Sequence, residues 1–337
     1  MRVLLTRLSA LGDIVHTWPL ADALARGEEA VEVAWVVEEP FLPLVARHPA
    51  VALAIPVATR RWRRTPVAAR TRREVLGARA LLRRFAPDVA LDPQGLCKSA
   101  AWARLSGAPT RVGLVRGSRR EALAGLFYTR TVTPPPGVTH VVDINLSLAS
   151  AVGAQPDFGA APDGRFLLGG TARESGPRAV VLLPGTGGHG KAWPATSFAA
   201  LASRISERGM SVTVAWGPGE RALAESVVAG AGGGAALAVP TTLPELAALL
   251  AGAAAVVGGD SGPVHLAASL AVPTVAIFLI TDPERNGPRG PRVRVVSSAR
   301  SGARGGSARS GTLGAIMVDE VLAALLHALE VPAAATR

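Results

Sequence analysis

Short apolar runs alternate with amphipathic segments along the first half of this chain of 337 residues. The apolar runs are rich in Val, Leu and Ile and predict strands, at Val3–Thr6, Val31–Val37, Ala52–Val57, Val89–Asp92 and Arg111–Leu114. The segments between and after them predict helices, at Ile14–Ala25, Arg73–Phe85, Lys98–Leu105 and Val141–Val152. Strands that alternate with helices are typical of a doubly wound parallel sheet. The pattern therefore predicts the α/β class.

The same alternation starts again in the second half. Strands are predicted at Ala179–Leu183, Ser211–Trp216, Ala254–Val257, Pro273–Phe278 and Arg292–Val296. Helices are predicted at Ala195–Glu207, Arg221–Ala229, Pro244–Ala251, Val264–Leu270 and Val318–Leu329. We therefore expect two Rossmann-like domains, at residues 1–160 and 177–337, joined by a linker at 161–176 that is rich in Gly, Pro and Ala. Within the second domain, the Arg/Gly/Ser-rich segment 298–314 predicts a flexible loop before a terminal helix at 316–330.

Composition restricts the possible partners. The chain carries 36 Lys and Arg against 25 Asp and Glu, a net charge of +11, which favours nucleic acid, an acidic lipid surface or a phosphorylated substrate. A GC-rich coding sequence that places Arg widely is an equally good explanation of that charge. Cys97 is the one cysteine, which excludes an internal disulfide and a multi-cysteine metal site.

Two apolar stretches resemble membrane spans, and neither is expected to be one. Residues 246–259 are too few, and residues 261–281 contain Pro263, His265 and Pro273. The chain enters a strand directly, without a basic and apolar leader, so we expect no signal peptide. The expected location is the cytosol, with contact to a membrane surface.

Two junctions between a strand and a helix carry similar residues. After the first strand comes Gly12-Asp13, and after Ala254–Val257 comes Asp260-Ser261-Gly262 followed by His265. Open α/β sheets bind ligands at such strand ends, and a helix start there attracts phosphate. Asp13 can act as a general base, while Ser261, Gly262 and His265 can donate to a diphosphate. Helix caps and a packed histidine explain the same residues without any ligand.

A glycine-rich loop follows strand Ala179–Leu183. It reads from Pro184 to Lys191, and it contains Thr186 and Gly187. The loop nearly matches a P-loop, but Ala192 replaces the Ser or Thr that would hold Mg²⁺. The loop can still face a phosphate, with Lys191 as a point charge. An ordinary glycine turn with a surface lysine is the alternative interpretation.

Further candidates lie at other strand ends. Glu220, which follows Trp216, can accept hydrogen bonds from ribose hydroxyls or can be a solvated residue at a helix start. The densest basic run is Arg60–Arg64, which suits phosphates and carboxylates or forms a solvated face. Lys98 is expected to face the same cleft. Cys97 has no identifiable His or Asp partner and is not expected to be a nucleophile.

These strings together resemble glycosyltransferase family 9, the ADP-heptose:lipopolysaccharide heptosyltransferases. The resemblance spans residues 1 to about 290 and rests on Gly12–Thr17, Trp35–Glu39, Ile55–Val57 with Arg60–Arg63, Asp92–Leu96 with Lys98–Ala100, Arg120-Glu121 with Leu126–Tyr128, Lys191–Pro194, Asp260–Gly262 with His265-Leu266, and Thr281–Pro283. It implies a GT-B fold, in which two Rossmann-like domains face a central cleft.

The resemblance also implies roles for individual residues. Asp13 and Lys191 would be the catalytic residues. The donor would be bound by Gly12, Thr186, Gly187, Lys191, Trp216, Glu220, Asp260, Ser261, Gly262 and His265. The acceptor would be bound by Arg60, Arg61, Arg63, Arg64, Lys98 and Arg120.

The implied activity is inverting, metal-independent transfer of L-glycero-D-manno-heptose from ADP-heptose to Kdo of the lipopolysaccharide inner core. No cofactor is implied, the acceptor is a Kdo-bearing lipid A, and nucleic acid is not a partner. The enzyme would work in the cytoplasm, peripherally at the inner face of the inner membrane. Within the family, Trp35–Glu39 and Arg60–Arg64 favour type I over type II heptosyltransferases. A family-9 enzyme with a different acceptor and a non-catalytic nucleotide- or lipid-binding protein remain alternatives.

Overall fold

The computed structural model describes residues 1–27, 30–169, 179–188, 190–298 and 316–331. The chain divides into two compact units, Met1–Pro162 and Asp163–Arg337. The domain borders derived from the sequence stay predictions, because residues 170–178 of the segment between them lie outside the described residues. The predicted loop 298–314 also lies outside them, apart from residue 298.

Unit 1 contains a parallel six-stranded sheet with helices between the strands. The strands are β1 Arg2–Thr6, β2 Glu32–Glu38, β3 Leu53–Val57, β4 Val89–Asp92, β5 Thr110–Leu114 and β6 Arg130–Val132. The helices are α1 Leu11–Val15, α2 Trp18–Ala25, α3 Thr59–Trp62, α4 Ala69–Phe85, α5 Cys97–Leu105 and α6 Val141–Leu146. Short 3₁₀ helices span Glu39–Leu44, Ala122–Phe127 and Ser147–Val152.

The strand order in unit 1 is β3-β2-β1-β4-β5-β6. Val3 pairs with Val33 on one side and with Val89 on the other, so β1 lies at the centre. Leu4, Ala34, Val36 and Ile55 are fully buried because helices cover both faces of a parallel sheet. The order reverses between β1 and β4, which is where ligands bind in such folds.

Unit 2 repeats this architecture. Its strands are β7 Val180–Leu183, β8 Val212–Val214, β9 Ala236–Leu237, β10 Ala255–Gly259, β11 Thr274–Phe278 and β12 Val293–Ser297, in the order β12-β11-β10-β7-β8-β9. Its helices are α7 Ala195–Ser206, α8 Arg221–Gly230, α9 Leu243–Gly252, α10 Gly262–Ser269, α11 Pro283–Asn286 and α12 Val318–Glu330, with a 3₁₀ helix at Arg165–Leu168. The order reverses between β7 and β10. Two doubly wound α/β sheets are therefore present, as the sequence predicted.

Some predicted elements differ from those observed. The helix expected over Ile14–Ala25 is two helices, because α2 begins anew at Trp18 with Pro19 in its first turn. The helix expected over Val141–Val152 ends at Leu146 and continues as a 3₁₀ helix. The edge strands β6 and β9 and the four-residue helix α3 were not predicted, because segments this short carry no clear periodicity.

The apolar stretches considered as membrane spans belong to the second sheet. Residues 246–259 form the end of α9 and all of β10, and residues 261–281 include α10 and β11. Among the described residues, no helix has both the length and the apolar character needed to cross a bilayer.

Helix α4 is the most basic element of unit 1. Thr71, Ala78, Leu82 and Phe85 form its buried face, which packs against β3 beneath the sheet. The helix ends at Phe85, where Ala86 adopts a left-handed conformation before Pro87. Its other face is exposed and carries most of its arginines.

Candidate active site and nucleotide cradle

Asp13 lies at the switch point of the first sheet, in the loop and helix that follow β1. It is the third residue of α1, after Gly12, and its Oδ2 accepts a hydrogen bond of 3.3 Å from the backbone N–H of Ala10. Its side chain is 17% exposed. Asp13 is therefore not the N-cap residue, and much of its carboxylate is left for other partners.

Two arginines hold the Asp13 carboxylate. Arg120 Nη2 lies 3.1 Å from each carboxylate oxygen, and the Nη2 of the buried Arg7 lies 3.8 Å from Oδ1. Arg7 Nε donates to the backbone oxygen of Asp13 and to Thr17 Oγ1, each at 3.2 Å. Burial lowers the pKa of Arg7, and the charge of Asp13 opposes that shift. The carboxylate thus lies between a fixed buried cation and an exposed one.

Asp92, the last residue of β4, supports the neighbouring loop. Its Oδ1 accepts from the backbone N–H groups of Gln94 and Gly95 at 2.9 and 3.0 Å. Its Oδ2 accepts from Ser99 Oγ at 2.9 Å and from the Tyr128 hydroxyl at 2.8 Å. Burial raises the pKa of Asp92, and these four donors oppose the shift by stabilising the charge. Asp92 fixes the loop that faces Asp13.

Gln94 joins that loop to the one that precedes Asp13. Its Oε1 accepts from the backbone N–H of Leu8 at 2.8 Å, and its Nε2 donates to the backbone oxygen of Ser9 at 3.2 Å. Lys98 Nζ lies 3.4 Å from Ser9 Oγ. Both strand-end loops are therefore held as one structure.

The loop that carries Arg120 is anchored to the same place. Glu121 donates its backbone N–H to Gly95 O at 2.9 Å, and its Oε2 accepts from the backbone N–H of Cys97 at 2.7 Å. Gly95 has a φ of +64°, and a Cβ there would lie 2.8 Å from Arg119 Cβ, so this close approach requires glycine. Glu121 and burial raise the pKa of the Cys97 thiol, which disfavours a reactive thiolate.

The basic run Arg60–Arg64 is divided between two environments. Arg61 donates to Glu74 at 2.7 and 3.0 Å and to Glu39 at 2.9 Å. Glu74 also accepts from the indole N–H of the buried Trp62 at 2.6 Å. The acceptor-binding role predicted for Arg61 is therefore not supported by its position, because two carboxylates already occupy its guanidinium.

The other arginines of the run are exposed. Across the described part of the chain, Arg60, Arg63 and Arg64 form no ion pair with a carboxylate. Burial lowers the pKa of Lys98, and the charges of Arg60 and Arg63 add to this, against Glu38 and Glu121. Arg60, Arg63 and Lys98 therefore form one cationic group near the Asp13 loops.

The second sheet has its own site at the switch point between β7 and β10. Lys191, in the loop after β7, lies 2.5 Å from Asp260 Oδ2, which also accepts from Thr281 Oγ1 at 2.8 Å. His265 Nε2 lies 3.8 Å from Asp260 Oδ1. Burial would raise the pKa of Asp260, but the interactions with His265, Lys191 and Thr281 outweigh it and hold that pKa well below its usual range.

The hydroxyl of Ser261 is a candidate contact for a ligand. Ser261 is the N-cap of α10, and its buried Oγ has no hydrogen-bond partner among the described residues. Gly262 begins the helix with a backbone N–H that the helix itself cannot pair. Pro263 has no N–H, and that of Val264 donates to Ser261 O at 3.2 Å. A buried polar atom without a partner is rare in folded proteins. A donor phosphate at this helix start would satisfy both the hydroxyl and the helix dipole.

Thr186 and Glu220, two further residues of the predicted donor-binding set, pack closely against glycines at the ends of β10 and β7. A Cβ at Gly259 would lie 2.5 Å from Thr186 Cγ2, and one at Gly185 would lie 2.2 Å from the Glu220 carboxylate. Glu220 Oε2 accepts from the backbone N–H of Gly217 at 2.8 Å. The small loop residues are therefore required for close packing.

Trp216 and Gly187 complete the predicted donor set. The Trp216 indole donates to Ala238 O at 2.9 Å, and the Arg221 guanidinium lies 5.8 Å from the centre of the Trp216 ring. Gly187 has open space around its Cα. The donor-binding roles of these residues stay predictions.

Sequence reasoning missed three residues that organise these sites: Arg7, Glu74 and the carboxylate of Asp92. Arg7 has a signal in the sequence, because it is a charged residue shortly after the apolar run Val3–Leu5. Glu74 is a single acid in a basic helix. No three His, Cys, Asp or Glu side chains of the described residues are grouped as metal ligands.

Comparison with known proteins identifies the family. The sequence pattern of glycosyltransferase family 9 (heptosyltransferase) matches residues 77–307. Lipopolysaccharide heptosyltransferase 1 of Pseudomonas aeruginosa is 38% identical over 300 residues, covering 86% of this chain and 82% of the relative. The chain belongs to glycosyltransferase family 9.

Two solved structures support the same assignment for this family-9 enzyme. E. coli heptosyltransferase WaaC with ADP matches with a TM-score of 0.82 at 29% identity, covering 97% of this chain and all of that one. WaaC with ADP-2-deoxy-2-fluoro heptose matches with a TM-score of 0.78, covering 97% and 99%. The predicted GT-B class and glycosyltransferase activity are confirmed.

We predict that Glu74→Gln destabilises this family-9 enzyme in a pH-dependent manner. Hydrogen bonds from Trp62, Arg61 and Arg70 lower the pKa of Glu74 from 4.5 to about 2. A lowered folded-state pKa stabilises the fold fully above the unfolded value and loses that effect as the pH falls towards 2. In urea unfolding, the free energy of unfolding of the variant should be lower than that of the wild type by a constant amount above about pH 5. This difference should narrow below about pH 4.5.

Glu225→Gln is the matched control for this prediction. Glu225 is an exposed acid, and Arg221, at 2.8 Å, is its one partner among the described residues. Glu225→Gln should lower the free energy of unfolding only slightly, because single surface ion pairs contribute little. An equal loss of unfolding free energy in both variants would contradict the proposed stabilising role of Glu74. So would a loss in Glu74→Gln that does not shrink at acid pH.

Proposed function

We propose that this chain transfers L-glycero-D-manno-heptose from ADP-heptose to Kdo of a Kdo-bearing lipid A in the lipopolysaccharide inner core. The observation that carries the proposal is the Asp13 carboxylate, held between Arg7 and Arg120 at the switch point of the first sheet. The names of the P. aeruginosa relative and of the ADP-bound E. coli structure support it. No resident cofactor or metal takes part in the proposed reaction.

The proposed chemistry is a single displacement with inversion. A hydroxyl of the acceptor attacks the anomeric carbon of heptose from the face opposite ADP, and the bond from that carbon to the phosphate oxygen breaks. Asp13 accepts the hydroxyl proton as the new bond forms. Arg7, whose Nη2 lies 3.8 Å from Oδ1, orients the carboxylate to act as the base.

The second unit stabilises the leaving group in this proposal. Lys191, the N-terminus of α10 and the Ser261 hydroxyl face the place where charge develops on the diphosphate. Asp260 holds Lys191, and Thr281 and His265 hold Asp260. Fixed cations and helix N–H groups supply the charge stabilisation that a bound metal would otherwise give. Glu220, the N-cap residue of α8, is assigned to the adenosine ribose.

The cationic group of unit 1 binds the acceptor in this proposal. Kdo carries a carboxylate, and guanidinium groups bind such anions with paired hydrogen bonds. Arg60, Arg63, Arg64 and Lys98 are assigned to it, and Arg61 is assigned to positioning the run through Glu74. Arg120 can exchange the Asp13 carboxylate for an acidic group of the acceptor. The enzyme acts in the cytoplasm, where it meets its lipid-linked acceptor at the inner face of the inner membrane.

We predict that the purified chain, given ADP-heptose and Kdo-bearing lipid A, forms a product that is one heptose heavier by mass spectrometry. Exhaustive EDTA treatment should leave the rate unchanged. Transfer only to an acceptor that already carries a heptose would indicate a type II enzyme. Nucleotide binding without turnover would indicate a non-catalytic protein, and a rate restored by Mg²⁺ after EDTA would contradict the roles of Lys191 and the α10 N-terminus.

We predict that Asp13→Ala lowers kcat by about 10²–10⁴-fold, the usual effect of losing a general base. The affinity for ADP, measured by calorimetry, should stay unchanged. Asp13 follows a strand of the first sheet, whereas the proposed nucleotide site at Lys191 and Ser261 belongs to the second sheet. A variant that keeps most of its kcat would remove Asp13 from the mechanism.

We predict that Arg60→Gln with Arg63→Gln raises the acceptor KM and weakens its dependence on salt, with ADP affinity unchanged. Each exposed charge contributes at most about 1 kcal/mol, so the double variant is the informative one. Arg61→Gln is the control, and it should lower the stability of the fold more than it alters the salt dependence of KM. Weaker ADP binding in the double variant would show that the two ligands had been assigned to the wrong units.

A further inference from the structure

Helix α4 carries an exposed basic face that the proposed reaction does not use. Its outer face consists of Arg72, Arg73, Leu76, Arg79, Arg83 and Arg84, all of them exposed. Leu76 is 61% exposed, which is unusual for a large apolar side chain in the middle of a helix. The helix has 17 residues and is therefore about 25 Å long. Such a face is large enough to contact an extended surface.

The spacing of these residues places them in two rows. Arg72, Leu76, Arg79 and Arg83 follow one another at intervals of three and four residues, and so lie along one line of the helix. Arg73 and Arg84 lie beside that line, on the far side of Leu76 and Ala80. The outer face is thus a narrow apolar stripe with arginines on both sides, opposite the buried Thr71, Ala78, Leu82 and Phe85.

Acidic residues do not balance this charge. Helix α4 contains six arginines and one acid, Glu74, and that acid is occupied by Arg61, Trp62 and Arg70. A solvated helix commonly alternates its charges, as α8 does when Arg221 pairs with Glu225. The outer face of α4 is left with positive charge alone.

We propose that the outer face of α4 docks on the surface of a bilayer that contains anionic lipids. Four to eight basic residues on an amphipathic helix favour anionic headgroups, and a leucine between them can enter the interface. Arginine forks bind lipid phosphates with paired hydrogen bonds. This inference extends the proposed function, which requires the enzyme to reach a lipid-linked acceptor, and it identifies the element that makes the contact.

Two arginines of the cationic group belong to the helix next to α4. Arg60 lies in α3 and Arg63 is its C-cap, and Glu74 of α4 connects the two helices through Arg61 and Trp62. A bilayer on α4 would therefore lie close to Arg60 and Arg63. An acidic sugar at the membrane surface would meet these arginines without leaving the interface.

Vesicle binding tests the proposal. The full chain is mixed with phosphatidylcholine vesicles, alone or with about 30% phosphatidylglycerol, in the absence of nucleotide and acceptor, and bound protein is measured by sedimentation. Wild type should bind the anionic vesicles, and less so at high salt. Each arginine near an anionic surface strengthens binding by about fivefold, so Arg72, Arg73, Arg83 and Arg84 changed together to Gln should weaken it at least tenfold. Leu76→Asn alone should weaken it by a smaller factor.

The matched control removes the same charge elsewhere. Arg47, Arg104, Arg130 and Arg208 are exposed, lie outside α4 and form no ion pair within the described residues, and all four are changed to Gln. This variant should keep nearly all of its vesicle binding. Equal losses in the two quadruple variants would overturn the proposal, because net charge and not α4 would then account for binding. Tighter binding of a 30-base-pair DNA than of the vesicles, lost on changing α4, would also overturn it in favour of nucleic acid.

Turnover separates this inference from the proposed function. The α4 variant should retain its kcat on a water-soluble Kdo acceptor that lacks acyl chains, and should lose activity on the acceptor embedded in vesicles. If no heptose is transferred at all, the proposed function is wrong. The role of α4 is then decided by the vesicle-binding measurement, which does not depend on turnover. If both variants act equally on the embedded acceptor, α4 does not dock the enzyme.

Discussion

The reversal of strand order in each sheet is the constraint on which both sites depend. Where β1 lies beside β4, and β7 beside β10, the chain leaves adjacent strands towards opposite sides of the sheet. Loops that diverge in this way leave a crevice at the carboxyl ends of the strands. Asp13 and the Asp92 loop line one crevice, and Lys191 and Asp260 line the other. Asp13, Lys191 and the side chains that hold them are placed by that geometry.

Each crevice contains charges that are balanced before any ligand arrives. In unit 1 the buried Arg7 offsets Asp13, and four hydrogen bonds stabilise the buried Asp92. In unit 2 Asp260 is ionised because three donors surround it. Charges removed from water are costly unless they are paired in this way. The pairing keeps the reactive groups in place, so that the substrate does not have to organise them.

The sequence allowed most of the fold to be predicted, because both sheets consist of buried apolar strands separated by helices. Asp13, Lys191 and Asp260–Gly262 were predicted as site residues because each lies in the loop or helix start that follows such a strand, and their roles stay predictions. Arg7, Glu74 and the Asp92 network could not be predicted. Their roles depend on partners such as Tyr128, which lies 36 residues after Asp92, and sequence shows a residue type without its partner. For the same reason, Arg61 was grouped with Arg60 and Arg63, although two glutamates occupy it.

The clamp on the Arg120 loop has a consequence for the timing of the reaction. Glu121 is bonded to Gly95 and Cys97, and Arg119 packs against Gly95, so the backbone beside Arg120 is held at several points. The Arg120 side chain is 56% exposed. Uncovering Asp13 therefore requires only rotation of one exposed side chain, which takes picoseconds to nanoseconds, and no movement of the loop. Typical enzymes turn over about 1–10³ times per second. The Asp13 carboxylate thus opens and closes many times within a turnover of that length.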